Sequence, residues 1–298
     1  MKNDEILIYF PEKLRNEIKE NISFDELNIL EEIRIRNNLP IILKIGQAEK
    51  ILDYKIKTEE INYIFQKICE NSIYTYQKEI ANGFITLKGG NRVGLVGSAV
   101  LNQEGKVINL NYISSLNFRI SRQIIGCSNE IIDEIYKKNG EIYNTLIVSK
   151  PGMGKTTLLR DIIRNISNGI ENKYNGLNVA VVDERGEISG TFKGIMGNDL
   201  GIRTDVINDI SKDIGMRMMI RSMAPKVIVA DEIGNIKDTD AIKYAMCSGV
   251  KGIFTAHGDS IEDIRKNKEI SELVDNKIIE KVIIIKNRNN GKYQWEII

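Results

Sequence analysis

Five short segments from residue 145 onward, 145–149, 178–183, 226–231, 252–257 and 281–286, are rich in apolar residues. Strands buried on both faces of a sheet read this way, because neither side of the pleat meets water. Helical spacing fills most of the stretches between them. The alternation predicts an α/β domain, a mainly parallel sheet sandwiched by helices. Residues 294–298 add a last edge strand after the Asn289-Asn290-Gly291 turn.

The N-terminal part is patterned differently. Pro11 starts a helix running through Ile18, with the proline near its first position. Residues 32–36 alternate apolar and charged side chains, as a half-exposed strand should, and 40–45 is the hairpin partner across Asn37-Asn38-Leu39. Thr58 caps a helix whose apolar face is Ile61, Ile64, Phe65 and Ile68. Within 83–97, two apolar strands flank a Gly89-Gly90-Asn91 turn, where turn geometry alone explains the glycines. Arg92, with Arg119 or Arg122, is a candidate for touching a neighbouring surface. A helix over 129–138 separates the two patterns. The division is set at 125/126, giving a smaller α+β domain, 1–125, for assembly and partner docking, followed by the α/β domain, 126–298.

Composition narrows the classes. A chain of 298 residues holds one large or two ordinary domains, and 42 basic residues against 41 acidic ones leave a net charge of +1. Global charge therefore offers no argument for nucleic acid as a partner. Cys69, Cys127 and Cys247 are far apart and form no CxxC pair, which argues against a disulfide framework or metal site and fits a reducing cytoplasm. No signal-length apolar run follows Met1, and no stretch approaches the ~18 residues of a membrane span. A soluble protein is expected, with docking on a membrane complex left open.

The candidate chemistry sits at strand ends. After the strand 145–149 come Lys150-Pro151-Gly152-Met153-Gly154-Lys155-Thr156-Thr157, a Gly-containing loop with a Lys-Thr pair opening a helix. Backbone N–H groups of such a loop wrap a phosphate chain, helped by the helix dipole. Lys155 reaches the outer phosphates of ATP and Thr156 holds Mg²⁺ in this pattern, although Ser149 stands where the first glycine belongs. An ordinary Gly-rich strand-to-helix turn is the bland alternative. The strand 226–231 delivers Asp231 and Glu232 to the sheet edge where ligands bind in open α/β sheets. Asp231 then supports Mg²⁺, and Glu232 polarises a water for in-line attack.

Further candidates share that edge. Asp183-Glu184-Arg185-Gly186-Glu187 ends another strand. Either Glu184 or Glu187 positions water or Mg²⁺, or the loop is simply a solvated acidic turn paired with Arg185. His257, the single histidine, ends the strand 252–257 and is placed to report nucleotide state through one hydrogen bond. Arg203, Arg217 and Arg221 lie upstream of Asp231. Arg217 and Arg221 are four apart on one helix face, and either is a candidate to stabilise transition-state charge in a neighbouring subunit. The methionines around them read as core or interface filler.

Read in order, these residues resemble the stage III sporulation protein AA family, relatives of the type II and type IV secretion and pilus-retraction ATPases. The resemblance runs through Glu32-Ile33-Arg34-Ile35-Arg36, Val93-Gly94-Leu95, Lys155-Thr156-Thr157-Leu158-Leu159-Arg160-Asp161, Val182-Asp183-Glu184-Arg185, Arg203-Thr204-Asp205-Val206, Asp231-Glu232-Ile233-Gly234 and Thr255-Ala256-His257-Gly258. It implies a RecA-like P-loop ATPase domain behind the N-terminal domain, an acidic box at 183–187 and a histidine box at His257. It further implies a cytoplasmic, mother-cell-side homo-hexamer, peripherally associated with the membrane proteins of a mother cell–forespore channel complex. Asn91 departs from the histidine usual in the family, and Lys281 from an expected arginine. Two other functions stay open: a nucleic-acid-dependent P-loop ATPase of helicase-loader or recombinase type, and a nucleotide-gated scaffold that hydrolyses little.

Overall fold

Alternating and solid apolar patterns sort the chain into two units. The computed structural model describes residues 4–289 and 292–298. One unit runs up to Ser121 and also takes in 190–197. The other comprises 122–189 and 198–298.

In the first unit the strands are β1 (Leu30–Arg36), β2 (Pro40–Ile45), β3 (Ala48–Lys55), β4 (Phe84–Thr86), β5 (Arg92–Leu101) and β6 (Val107–Arg119). They form one antiparallel sheet in the order β3-β2-β1-β6-β5-β4. Ile33 and Ile35 point into the core while Arg34 and Arg36 do not, as their alternation requires. Helices α1 (Asp4–Leu7), α2 (Glu12–Asn21), α3 (Phe24–Ile29), α4 (Thr58–Ile68) and α5 (Gln77–Ala81) accompany the sheet. The core gathers Phe10, Leu14 and Ile18 with Ile61, Ile64, Leu116 and Phe118, and the Phe10 and Phe118 rings lie 4.7 Å apart.

The local expectations for this unit hold with corrections. Pro11 is the N-cap residue of α2, just outside the helix. Thr58 is not the cap of α4: Lys57 is, its N–H donating to the Glu60 carboxylate at 2.9 Å. The apolar face of α4 is as expected, with Ile61, Ile64, Phe65 and Ile68 all buried. Gly89 and Gly90 adopt φ of 82° and 79° in the turn between β4 and β5. Asn91 beside them is structural, accepting from the Ser121 N–H at 2.9 Å. Arg92 stacks on the Phe84 ring, 3.7 Å from its centroid. Strand β3 and the excursion 190–197 are announced by no sequence pattern. Gly197 packs so closely that a Cβ there would lie 2.7 Å from the Gly89 Cα.

The second unit has β7 (Thr145–Ser149), a small ribbon of β8 (Gly169–Ile170) and β9 (Tyr174–Asn175), then β10 (Val179–Asp183), β11 (Thr204–Asn208), β12 (Val227–Ala230), β13 (Lys251–His257), β14 (Lys281–Asn289) and β15 (Lys292–Ile297). Its main sheet runs β11-β10-β12-β13-β7-β14-β15, parallel throughout except for the last pair. Two apolar layers cover its faces. One includes α6 (Ile132–Ile135) and α7 (Lys155–Asn168). The other includes α8 (Lys212–Met223), α9 (Ile236–Cys247), α10 (Ile261–Lys266) and α11 (Lys268–Asp275). The α/β expectation is therefore met, with β14–β15 as the expected edge hairpin. The centre of its proposed turn, Asn290 and Gly291, lies outside the described residues.

One expectation fails here, and one strand had no counterpart in the sequence pattern. The helix over 129–138 shrinks to α6, because Asp161 binds the N–H groups of Gly126 and Ser128, and Tyr136 bridges to Ile142. Strand β11 was not foreseen, since its half-buried edge position leaves Thr204-Asp205-Val206-Ile207-Asn208 without a solid apolar run. Among the described residues, no helix is long and apolar enough to cross a membrane.

Candidate active site

Sheet order decides which residues meet. β12, β13 and β7 are adjacent and parallel, so their C-terminal ends place Asp231-Glu232, His257 and Ser149 side by side, with His257 in register with Ser149. Such an edge is where ligands bind in open α/β sheets.

The loop after β7 is shaped by glycine. Gly152 and Gly154 take φ of 80° and 82°, and a Cβ on Gly152 would meet only open space, but its backbone would be strained. Gly154 is the N-cap of α7, and no side chain caps that helix start. The first N–H groups of a helix have no partner inside it, so a phosphate chain fits this loop. Ser149 is buried and bonds the Lys150 carbonyl at 3.1 Å. Lys150 pairs with Asp259 at 2.8 Å, Pro151 is exposed and Met153 is half-buried. Thr157 accepts the Cys127 thiol on its carbonyl. Tyr293 of β15 donates its hydroxyl to the Gly154 carbonyl at 3.0 Å, a contact that sequence reading missed.

The two expected halves of the site meet directly. Thr156 donates its hydroxyl to Asp231 at 2.7 Å. The Lys155 ammonium lies 3.5 Å from His257 Nδ1, and His257 Nε2 is 3.0 Å from Glu232. Lys155 is placed to donate to Nδ1 and Glu232 to accept from Nε2, the hydrogen-bond pattern of a ring that carries its proton on Nε2. Glu232 is also paired with Arg185 at 2.6 Å, so both of its carboxylate oxygens are engaged. Its backbone sits at φ 54°, the left-handed region that a non-glycine residue occupies at a cost. The conformation is held because the Glu232 N–H bonds the Thr255 hydroxyl at 2.8 Å, while that hydroxyl bonds Asp231. Thr255 was quoted in the sequence without a role. A lone polar residue near the ligand end of an apolar strand was the signal that could have found it.

The acidic loop divides by burial. Asp183 is buried and accepts from the N–H groups of Ile188 (3.1 Å) and Ser189 (2.8 Å), so it shapes the loop. Glu184, Arg185 and Glu187 line a cleft with Asp231, Glu232 and Lys212. Lys212 bonds Glu184 at 2.5 Å, which nothing in the sequence indicated.

Arg217 and Arg221 stand apart from this cleft within the chain. Arg217 lies over the Tyr244 ring, 4.7 Å from its centroid, and Arg221 is exposed in the last turn of α8. At 1.5 Å per residue, Arg221 is roughly 13 Å further along the helix than Lys212. Arg203 is spent on the Ser167 carbonyl at 3.0 Å. Among the described residues no cluster of three or more His, Cys, Asp or Glu could hold a metal ion alone. Thr156 beside Asp231 suits Mg²⁺, which takes one or two protein ligands together with phosphates.

Comparison with known proteins follows the same lines. The profile of the family described as "Sporulation stage III, protein AA" matches residues 1–294. The stage III sporulation protein AA of Bacillus subtilis (strain 168) is 38% identical over 281 residues, spanning 94% of this chain and 90% of that protein. Among solved structures, the ATPase DotB of Legionella pneumophila superposes with a TM-score of 0.62 at 15% identity, over 97% of this chain and 80% of that one. The pilus retraction motor PilT with bound ADP also gives 0.62 at 15% identity, over 96% and 81%. The fold is thus that of the ATPase DotB and the pilus retraction motor PilT.

Proposed function

The chain belongs to the stage III sporulation protein AA family, and on that premise we propose that it is a Mg²⁺-dependent ATPase of the secretion-motor type. It works as a homo-hexameric ring on the membrane proteins of a sporulation channel complex, from the mother-cell cytoplasm. Its N-terminal part, 1–125, serves assembly and partner docking. The observation that carries the reading is the Thr156–Asp231 hydrogen bond at 2.7 Å, which joins the phosphate-loop helix to the acidic strand end.

Roles follow from position. The loop from Ser149 to Thr157 cradles the phosphates and Lys155 neutralises the outer ones. Thr156, with Asp231 behind it, would hold Mg²⁺, and the ion would supply neutralisation of phosphate charge. Glu232 accepts the proton of the attacking water, with Glu184 and Glu187 as alternative water-positioning groups. Arg185 and His257 each hold one Glu232 oxygen, so the proton is taken on a remaining lone pair or after one of them releases. Arg217 or Arg221 completes the charge stabilisation in a neighbouring subunit.

The double engagement of Glu232 also favours a second reading, a nucleotide-gated scaffold that hydrolyses little. Labelled-ATP binding and phosphate release separate the two. A folded Lys155→Ala variant is expected to lose ATP binding. Glu232→Gln is expected to bind normally and turn over on the order of 10²-fold more slowly. Unchanged affinity in Lys155→Ala refutes the phosphate-loop assignment, and slow wild-type hydrolysis indifferent to Glu232→Gln favours the scaffold.

A further inference from the structure

The chain passes between its two units three times, after Ser121, after Ser189 and after Gly197. In the second unit the ends of all three passages are gathered by hydrogen bonds around Arg160, in the second turn of α7. Its Nη1 donates to the Arg122 carbonyl at 2.7 Å. Its Nη2 donates to the Glu187 carbonyl at 2.6 Å, and its Nε to the carbonyls of Ile188 (3.0 Å) and Glu187 (3.2 Å). The Ile188 carbonyl also accepts from the Asn198 side chain at 2.9 Å. The Gln123 side chain bonds the Asp199 backbone both as donor (2.5 Å) and as acceptor (2.9 Å).

This is an expensive way to tie a loop to a helix. Arg160 is 6% exposed, and a buried guanidinium gives up its hydration. Apolar packing would hold the same segments without that cost. A planar fork does one thing that apolar contact and lysine do not: it fixes several carbonyls from separate segments in a single geometry. The loop so held is the acidic one. Asp183 grips the N–H groups of Ile188 and Ser189, and Arg160 grips the carbonyls of Glu187 and Ile188. Between those grips lie Glu184, Arg185 and Glu187, which line the cleft beside Glu232.

We propose that Arg160 is a positioning residue that ties the acidic loop and the three chain passages to the helix beginning at Lys155, so that nucleotide on the phosphate loop orders both. The inference rests on the nucleotide reading above. The helix between Lys155 and Arg160 is the rigid element, and the carbonyls are its readout. Arg160 itself touches no reacting atom.

The test uses the full chain with Mg·ADP and a non-hydrolysable ATP analogue as probes. In the wild type, nucleotide is expected to slow amide exchange across 184–189 and 122–128. In Arg160→Lys, nucleotide affinity should stay within about threefold while that protection disappears and kcat falls on the order of 10- to 100-fold, with KM little changed. In Arg160→Ala, millimolar guanidinium should restore turnover where methylammonium does not, a rescue that a general loss of stability would not show. Wild-type protein that binds nucleotide without protecting these segments overturns this inference alone. So does a folded Arg160→Lys that keeps both protection and kcat. A wild type that binds no nucleotide overturns the reading beneath it as well.

Discussion

Replacing Asp161 by asparagine removes one charge from the interior and little volume. The carboxylate is fully buried and accepts from Gly126 N (3.0 Å), Ser128 N (2.8 Å), Ser128 Oγ (2.7 Å) and two guanidinium nitrogens of Arg164 (3.0 and 2.9 Å). Asparagine keeps one acceptor oxygen and turns an NH₂ toward donors. Hydrogen bonds to a charged group contribute about 1.5–3 kcal/mol each, and breaking a buried pair costs about 3–5 kcal/mol. Arg164 is partly exposed and regains some hydration, so a loss of about 3–5 kcal/mol is expected in all. For a domain of this size that lowers Tm by roughly 10 °C. The single tryptophan, Trp295, packs partly buried against the core of the same unit, so its fluorescence in a urea titration reports the loss there. The pH dependence adds a second check. Burial raises the Asp161 pKa, but Ser128, Gly126 and Arg164 outweigh it and hold the carboxyl below its usual range. A depressed pKa contributes stability above the unfolded value of about 4, and that contribution is lost as pH falls through the folded value. The gap between wild type and variant should be constant from about pH 6 to 8 and shrink below about pH 4. A loss under about 1 kcal/mol at pH 7, or a gap that widens in acid, refutes the reasoning.

Other outcomes follow from the same structure. If Arg221 or Arg217 acts across a subunit boundary, specific ATPase activity rises with protein concentration, and mixing Lys155→Ala with Arg221→Ala or Arg217→Ala chains restores part of it. Concentration-independent activity without rescue means that the site is complete in one chain. Gly169→Ala is expected to destabilise the second unit by more than about 1 kcal/mol. Its φ is 81°, and a Cβ would lie 2.6 Å from the Gly176 nitrogen. Thermal unfolding checks this, and an unchanged Tm would mean that the β8–β9 ribbon yields freely.

What could be read from the sequence was whatever burial writes into every residue of a segment. β7, β10 and β12 are buried at every position, so their strings are apolar and their ends could be located. β11 is buried at one residue in five and left no such mark. The meeting of Lys155, Thr156, Asp231, Glu232 and His257 was legible because strand ends in a parallel sheet share an edge. The contacts around them were not. Lys212 reaches Glu184 from a helix start, Arg160 reaches carbonyls, and carbonyls have no sequence identity. Spacing on α8 put Arg217 and Arg221 on one face, but it carried no information about distance from the cleft. The truncated helix after Ser128 shows a long-range carboxylate overriding local propensity, since Asp161 is 33 residues away.

The left-handed backbone at Glu232 bears on how this chain would respond to selection. A non-glycine residue held there costs about 1–3 kcal/mol, whereas glycine adopts the conformation freely. The contacts that a glycine would forfeit, the ion pair to the exposed Arg185 and the hydrogen bond from the half-exposed His257, are of a kind contributing about 0–1 kcal/mol each at such exposure. Survival of heat and capacity for chemistry therefore pull this position in opposite directions. A library screened for thermal tolerance alone would enrich glycine at 232 and discard the carboxylate. Persistence of glutamate there under genetic drift would be a sign of selection on turnover and not on folding.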